Sequence, residues 1–169
     1  MTLSIRSFRK ADSADVARMM KRLAAFHGDK SKASASFIAQ HALGPRKSFH
    51  ILVAVLKGSL VGFCAMVYAV DMVSAIKKTR VEYMFVDEAF RQQGIATALI
   101  QESMRIALKD GVRSFSITAD PHNKLSNKAY GQTGLTQTKK THMRYGADVQ
   151  FMKQFTAQTH QRKKVASKA

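Results

Sequence analysis

The segment Arg91-Gln92-Gln93-Gly94-Ile95-Ala96 follows an apolar run, "VEYMFV", and leads into small and apolar residues. A helix that begins just after a glycine leaves its first N–H groups without intrahelical acceptors, and with the helix dipole these form an anion site. Gly94 lets the backbone come close to an oxyanion, and Ala96 keeps the helix start uncrowded. No Gly-Lys-Ser/Thr follows, so this is not a Walker loop; two glycines are missing, so it is not a dinucleotide fingerprint. A plain helix start and a cradle for some other phosphate-bearing cofactor both remain.

Other reactive side chains are few. Cys64 is the only cysteine. It rules out an internal disulfide and cysteine-rich zinc sites. A cysteine can carry an acyl group, but Cys64 lies in an apolar strand with no paired base in view and reads as a small buried hydrophobe. The six histidines show no metal-ligand spacing, and no metal is expected. Glu82 is the only carboxylate within the central strand of a chain that has eleven acidic residues. As a strand carboxylate it has a plain reading, pairing with a nearby Lys or Arg.

The elements that must position these groups are readable from periodicity. "LSIRSF" alternates and predicts a strand. "KADSADVARMMKRLAAFHG" predicts a helix with Asp12 as N-cap, Asp15 three residues on, and Val16, Met19, Met20, Leu23 and Phe26 on its apolar side. "ASASFIAQHAL" predicts a second helix, ended by Gly44-Pro45. Two strands, "SFHILVAVL" and "SLVGFCAMVYAV", join through Lys57-Gly58. "TRVEYMFVD" predicts a further strand. The helix after Gly94 runs to about Lys109, with Ala96, Ile100, Met104 and Ala107 at helical spacing. "SFSITAD" is a strand, "NKLSNKAYGQTG" a short helix, and "LTQTKKTHMRYG" with "DVQFMKQF" a closing strand pair. The order β-α-α-β-β-β-α-β-α-β-β predicts a mixed α/β sheet. It is mostly antiparallel, with one parallel pair across the helical crossover.

With its flanks, "FVDEAFRQQGIA" resembles the Arg/Gln-x-x-Gly-x-Gly/Ala motif of the GNAT acetyltransferase superfamily. "NKLSNKAYGQTGL" is similar to the second motif, Asn-x-x-Ala-x-x-x-Tyr-x-x-x-Gly-Phe. Asn123, Tyr130 and Gly134 match it; Ser126 replaces the usual alanine and Leu135 the usual phenylalanine. The resemblance covers about residues 3–155. Among the branches, "LVGFCAMVYA" and "VEYMFVDEAFR" look most like the spermidine/spermine-type amine acetyltransferases.

This resemblance implies a GNAT fold with splayed parallel strands and acetyl-coenzyme A as donor. Arg91, Gln92, Gln93, Gly94, Ile95, Ala96 and Thr97 would form the pyrophosphate loop, acting mainly through backbone N–H groups. Main-chain groups of Met84, Phe85 and Val86 would pair with the pantetheine arm, and Asn123 with Ser126 would border the cofactor. An amine with a pKa of about 10 must lose a proton, an oxyanion must be stabilised and a thiolate must be protonated. Tyr130 matches the family's general acid, against a reading in which its ring simply packs. Glu82 matches a position used in part of the family to bind or deprotonate the amine. His27 and Asp29, in the first helix–helix connection, are candidate acceptor contacts, against plain loop or cap roles. The reaction implied is direct acetyl transfer to a small amine or amino-acid-like acceptor. A catalytically silent coenzyme-A-binding module is the alternative.

Composition bounds the rest. The 169-residue chain carries a formal net charge of +17, which suits anionic partners. The charges are scattered except in "HQRKKVASKA", which reads as a flexible tail over 156–169 beside a single domain over 1–155. A protein or peptide acetyltransferase, or a nucleic-acid-associated protein, would use that surface; nucleic acid is not the favoured partner. The N-terminus has no signal-peptide pattern. The apolar window Ser59–Val73 is interrupted by Gly62 and Asp71, is too short to cross a bilayer and reads as a core strand. A cytoplasmic protein with no membrane partner is expected, and relatives that pair through their closing strands imply a homodimer.

Overall fold

Five strands and four helices order the residues described by the computed structural model, which are 3–119, 123–133 and 135–137. In chain order they are β1 (Leu3–Ser7), α1 (Ser13–Phe26), α2 (Ala35–Ala42), β2 (His50–Leu56), β3 (Ser59–Asp71), β4 (Ile76–Val86), α3 (Ile95–Lys109), β5 (Val112–Ile117) and α4 (Lys124–Gln132). This is the predicted order as far as it can be followed. Residues 135–137, the start of the predicted closing strand pair, carry no strand; the rest of that pair, the dimer contact it would make, the basic tail and the boundary at 155 lie outside the described residues.

The sheet runs β1-β2-β3-β4-β5. The first three pairings are antiparallel, and β4 pairs with β5 in parallel, as the crossover through α3 requires. Alternation along the strands divides the core in two. On one face Ile51, Val53, Phe63, Ala65 and Phe85 pack with Val16 and Met19 of α1 and Ile38 of α2. On the other, Leu52, Ala54, Val61, Cys64, Met66 and Val81 pack with Ile95 and Leu99 of α3. The β2–β3 turn uses Lys57 and Gly58 at φ 50° and 80°, the doubly left-handed geometry that suits a two-residue hairpin.

Local chemistry departs from expectation in four places. Asp12 does not cap α1 through its side chain. Its carboxylate instead accepts from both ends of the Arg6 guanidinium at 2.7 and 2.8 Å and from the Arg9 N–H at 2.7 Å. A 3-10 turn at Lys10–Asp12 therefore precedes the helix, and Asp15 pairs with Arg18. Phe26, predicted on the apolar side of α1, is 59% exposed, because it occupies the last helical residue before the chain leaves for α2.

The window Ser59–Val73 is core only in its first half. β2 accompanies β3 no further than the His50–Met66 pair. Beyond it the β3–β4 hairpin projects, with Met72 90% and Val73 98% exposed. In α3 the buried stripe is Ile95, Leu99, Ile100, Ser103 and Ala107, whereas Ala96 and Met104 are only half-buried. The stripe is rotated from the predicted one because Ser103, read as polar, lies at its centre. Ser103 donates to the Leu99 carbonyl at 2.7 Å and contacts Cys64 Sγ at 3.4 Å.

Candidate active site

Two irregularities in β4 shape the site. In the β3–β4 register Ala65 faces Tyr83 but Met66 faces Val81, so Glu82 is an extra, unopposed residue: a β-bulge. On the other side the parallel ladder ends at the Val81–Ile117 pair, and β5 ends with it. From Glu82 to Val86 the edge of β4 facing β5 thus has no strand partner among the described residues. This is the predicted splay, beginning at the bulge. A row of strand backbone groups left open in this way can take an extended, amide-bearing ligand.

At its far end β4 turns into the Gly94 segment. Gln92 at φ 61° and Gly94 at φ 76° are both left-handed. Gly94 is the N-cap of α3, with no side chain capping the helix. The first helical bond is donated by Ala98 to the Gly94 carbonyl at 2.9 Å, so Ile95, Ala96 and Thr97 present N–H groups at the positive end of the helix. Nothing lies within 4 Å of where a Gly94 Cβ would stand. The helix start at Gly94 is left-handed, uncapped by a side chain and open.

The loop is held by groups the sequence did not single out. Arg22 of α1 grips Asp87 at 2.6 and 3.3 Å. Asp87 N–H donates to the Val61 carbonyl at 2.9 Å. Arg91 donates through Nε to the Val86 carbonyl at 3.1 Å. Glu88 lies 3.8 Å from Arg22 and 3.7 Å from Arg91. Both guanidinium groups stand near the Phe85 ring, at 5.1 and 6.0 Å from its centroid. Arg91 therefore closes the corner between β4 and the loop. Gln93 donates to the Ala89 carbonyl at 3.3 Å. Gly62, opposite Val86, permits the close approach of β3, since a Cβ there would fall 2.8 Å from the Phe85 carbonyl oxygen.

Tyr130 lies half-buried on α4. Burial pushes its hydroxyl above the ordinary tyrosine range; a hydrogen bond with Ser126 pulls the other way, and nearby Cys64 adds a small upward push. Cys64 faces Met84 in the sheet. Asn123 caps α4, its Oδ1 accepting from the Ser126 N–H at 3.0 Å. Burial pushes the Cys64 thiol up to about 11, with Ser103 opposing, so the sulfur stays protonated and unreactive at neutral pH.

Glu82 is paired, as its plain reading allowed: Arg80 Nε donates to Oε2 at 2.6 Å. His27 ends α1, its ring edge-on to Phe26 at 5.3 Å. The Asp29 N–H donates to the Ala24 carbonyl at 2.9 Å. Among the described residues no hydrogen bond or ion pair joins His27 or Asp29 to Glu82. The residues missed from sequence are Arg22, Asp87, Gly62 and Arg80. Of these only Arg80 had a local signal, two positions before Glu82 on one strand.

No described helix is long and apolar enough to cross a membrane. The model of the acetyltransferase (GNAT) family matches residues 17–135. The thialysine N-epsilon-acetyltransferase of Mus musculus is 28% identical over 146 residues, covering 79% of this chain and 86% of that protein. Two solved structures share the fold. An aminoglycoside acetyltransferase from an uncultured soil metagenomic sample, in complex with sisomicin, has a TM-score of 0.73 at 17% identity, over 86% of this chain and 97% of that one. The ribosomal-protein-alanine N-acetyltransferase of Brucella melitensis biovar Abortus 2308 has a TM-score of 0.70 at 21% identity, over 86% and 100%.

Proposed function

The chain belongs to the acetyltransferase (GNAT) family, and on that premise we propose that it transfers acetyl from acetyl-coenzyme A to the primary amine of a small amine or amino-acid-like metabolite. The observation that carries this reading is the pairing of an open left-handed helix start at Gly94 with an edge of β4 that, among the described residues, has no strand partner beyond Val81. The donor set fits the cosubstrate. Backbone N–H groups at 92–97 suit a pyrophosphate, the strand edge at Met84, Phe85 and Val86 suits an amide-bearing arm, and Asn123 with Ser126 lies at the start of α4 beside Tyr130. When bound, acetyl-coenzyme A supplies the acetyl group as an activated thioester.

The chain's own residues then have distinct tasks. The Glu82 carboxylate holds the acceptor amine or takes its proton, which a group with a pKa of about 10 must lose before it can attack. The Phe85 or Val86 N–H donates toward developing negative charge. Tyr130, kept protonated by burial, carries on its Oη the proton needed by the departing sulfur. The buried, protonated Cys64 supports direct attack by the amine rather than an acyl-enzyme. We place this activity in the cytoplasm, in a homodimer built through residues beyond those described.

The test is a thiol-release screen with acetyl-coenzyme A across amines, amino acids, polyamines, aminoglycosides and peptides. Release that depends on the amine, and that Tyr130→Phe slows, supports the reading. No release with any acceptor, while coenzyme A still binds, would leave a silent binding module.

A further inference from the structure

One face of β4 carries a group beyond those assigned above. Val81 packs toward α3, so Arg80, its neighbour, projects to the opposite face, where α1 and α2 lie. Arg80 meets Glu82 at 2.6 Å, which puts Glu82 on that face too. The bulge then adds Tyr83, which lies opposite Ala65 of the α1-side core. Arg80, Glu82 and Tyr83 thus stand in a row, at and just past the point where β5 leaves. The Tyr83 ring lies 6.2 Å from that of Phe49. The Arg80 and Glu82 side chains are 44% and 32% exposed. Only Nε of Arg80 is used on Glu82 among the described contacts, so its terminal nitrogens keep the planar fork that matches a carboxylate.

We infer that Arg80 selects the acceptor by its carboxylate, so that the substrate class is amino acids rather than di- or polyamines. The inference rests on the transferase reading of the same site. An amino acid exchanges one ion pair for two, and its carboxylate offsets one of its own ammonium charges: the carboxylate takes the Arg80 fork and its ammonium or amine takes Glu82. A diamine offers nothing to Arg80 and sets a second cation beside it, which costs Coulomb energy in a partly buried place. Tyr83 and Phe49 give the methylene stem an apolar surface.

The experiment pairs lysine, ornithine and thialysine with their decarboxylated amines, in the parent, Arg80→Met and Arg80→Lys. KM and kcat are measured with acetyl-coenzyme A, and binding is measured calorimetrically on the coenzyme-A-loaded protein without turnover. At least one amino acid should bind more tightly than its decarboxylated partner. Arg80→Met should weaken that binding and raise its KM by about 10- to 100-fold, the loss expected for a charge-assisted hydrogen bond, with kcat within about 3-fold. The decarboxylated amine should bind Arg80→Met as well as the parent or better, and Arg80→Lys should recover part of the loss. If no amino acid in the panel binds, or if Arg80→Met weakens both members of each pair alike, the inference falls. If amino acids bind through Arg80 but no amine is ever acetylated, the transferase reading falls and the carboxylate site stands.

Discussion

Arg22 and Asp87 are 65 residues apart in the chain and meet as a fork, with contacts at 2.6 and 3.3 Å. The contact fastens α1 to the first residue after β4, the point from which the loop to Gly94 departs. Arg22 holds the Asp87 carboxyl below the usual carboxylate range. Arg22→Met should therefore loosen the loop more than the fold. We expect coenzyme A affinity to fall by about 3- to 10-fold, while stability changes by no more than about 1 kcal/mol, as for a partly exposed pair. Calorimetric titration and a thermal melt of the same sample separate the two effects.

Gly94 gives a sharper test, because its φ of 76° and its open surroundings make different demands. Gly94→Ala has space for its Cβ and should cost only the backbone strain, about 1 kcal/mol. Gly94→Glu adds a carboxylate where the cradle would receive phosphate and should abolish coenzyme A binding. Retained affinity in a folded Gly94→Glu protein would remove the phosphate role from this loop. Changes to the Gln92 and Gln93 side chains should matter much less.

Gly62→Ala tests the splayed edge from behind. The added methyl would stand 2.8 Å from the Phe85 carbonyl oxygen, and backbone on both sides must give way. A loss of about 1 to 3 kcal/mol is expected, accompanied by weaker coenzyme A binding as the Phe85–Val86 segment shifts. Urea unfolding measures the first and titration the second.

For Tyr130→Phe we expect kcat to fall about 100-fold, the ordinary worth of a general acid, with the KM for acetyl-coenzyme A little changed. The hydroxyl is raised above its usual range and stays protonated through the neutral and mildly alkaline range. The parent's kcat should thus show no descending limb below a pH of about 10. A limb near neutrality that survives in the phenylalanine variant would assign the proton to another group.

Asp12 supplies a pH dependence of stability. Its hydrogen bonds from Arg6 lower its pKa in the folded protein, chiefly, with burial opposing. A depressed folded value means stability that is present above the unfolded value of about 3.9 and is lost as pH falls through the folded one. Asp12→Asn should cost about 2 kcal/mol at neutral pH and nothing at strongly acid pH. Denaturant melts at both ends of that range would show whether the two curves converge.

The order of elements was legible because strand alternation, helical periodicity and turn residues all act over short spans. Lys57-Gly58 and Gly94 carried left-handed geometry openly, since few other residues tolerate it cheaply. The helix start at Gly94 and the parallel crossover could likewise be read from residues adjacent in the chain. What stayed hidden depends on distant partners. Nothing beside Arg22 announces Asp87, and nothing beside Gly62 announces the Phe85 carbonyl. The bulge at Glu82 is a mismatch between two strands and has no signature in either alone. Phe26 misled because an apolar residue at the right spacing still faces solvent where the helix outruns its neighbours, and Ser103 because a hydroxyl that donates to its own helix can be buried with its polar atom satisfied.

Cys64 has a practical consequence. It is the only thiol in the chain, wholly enclosed between β3 and α3 and held in its unreactive form. A thiol reagent added to the intact protein can react only when α3 lifts from the sheet. The labelling rate is then a clock for that opening, read without any engineered probe, and a ligand that bridges the α3 N-terminus and β4 should slow it in proportion to its occupancy.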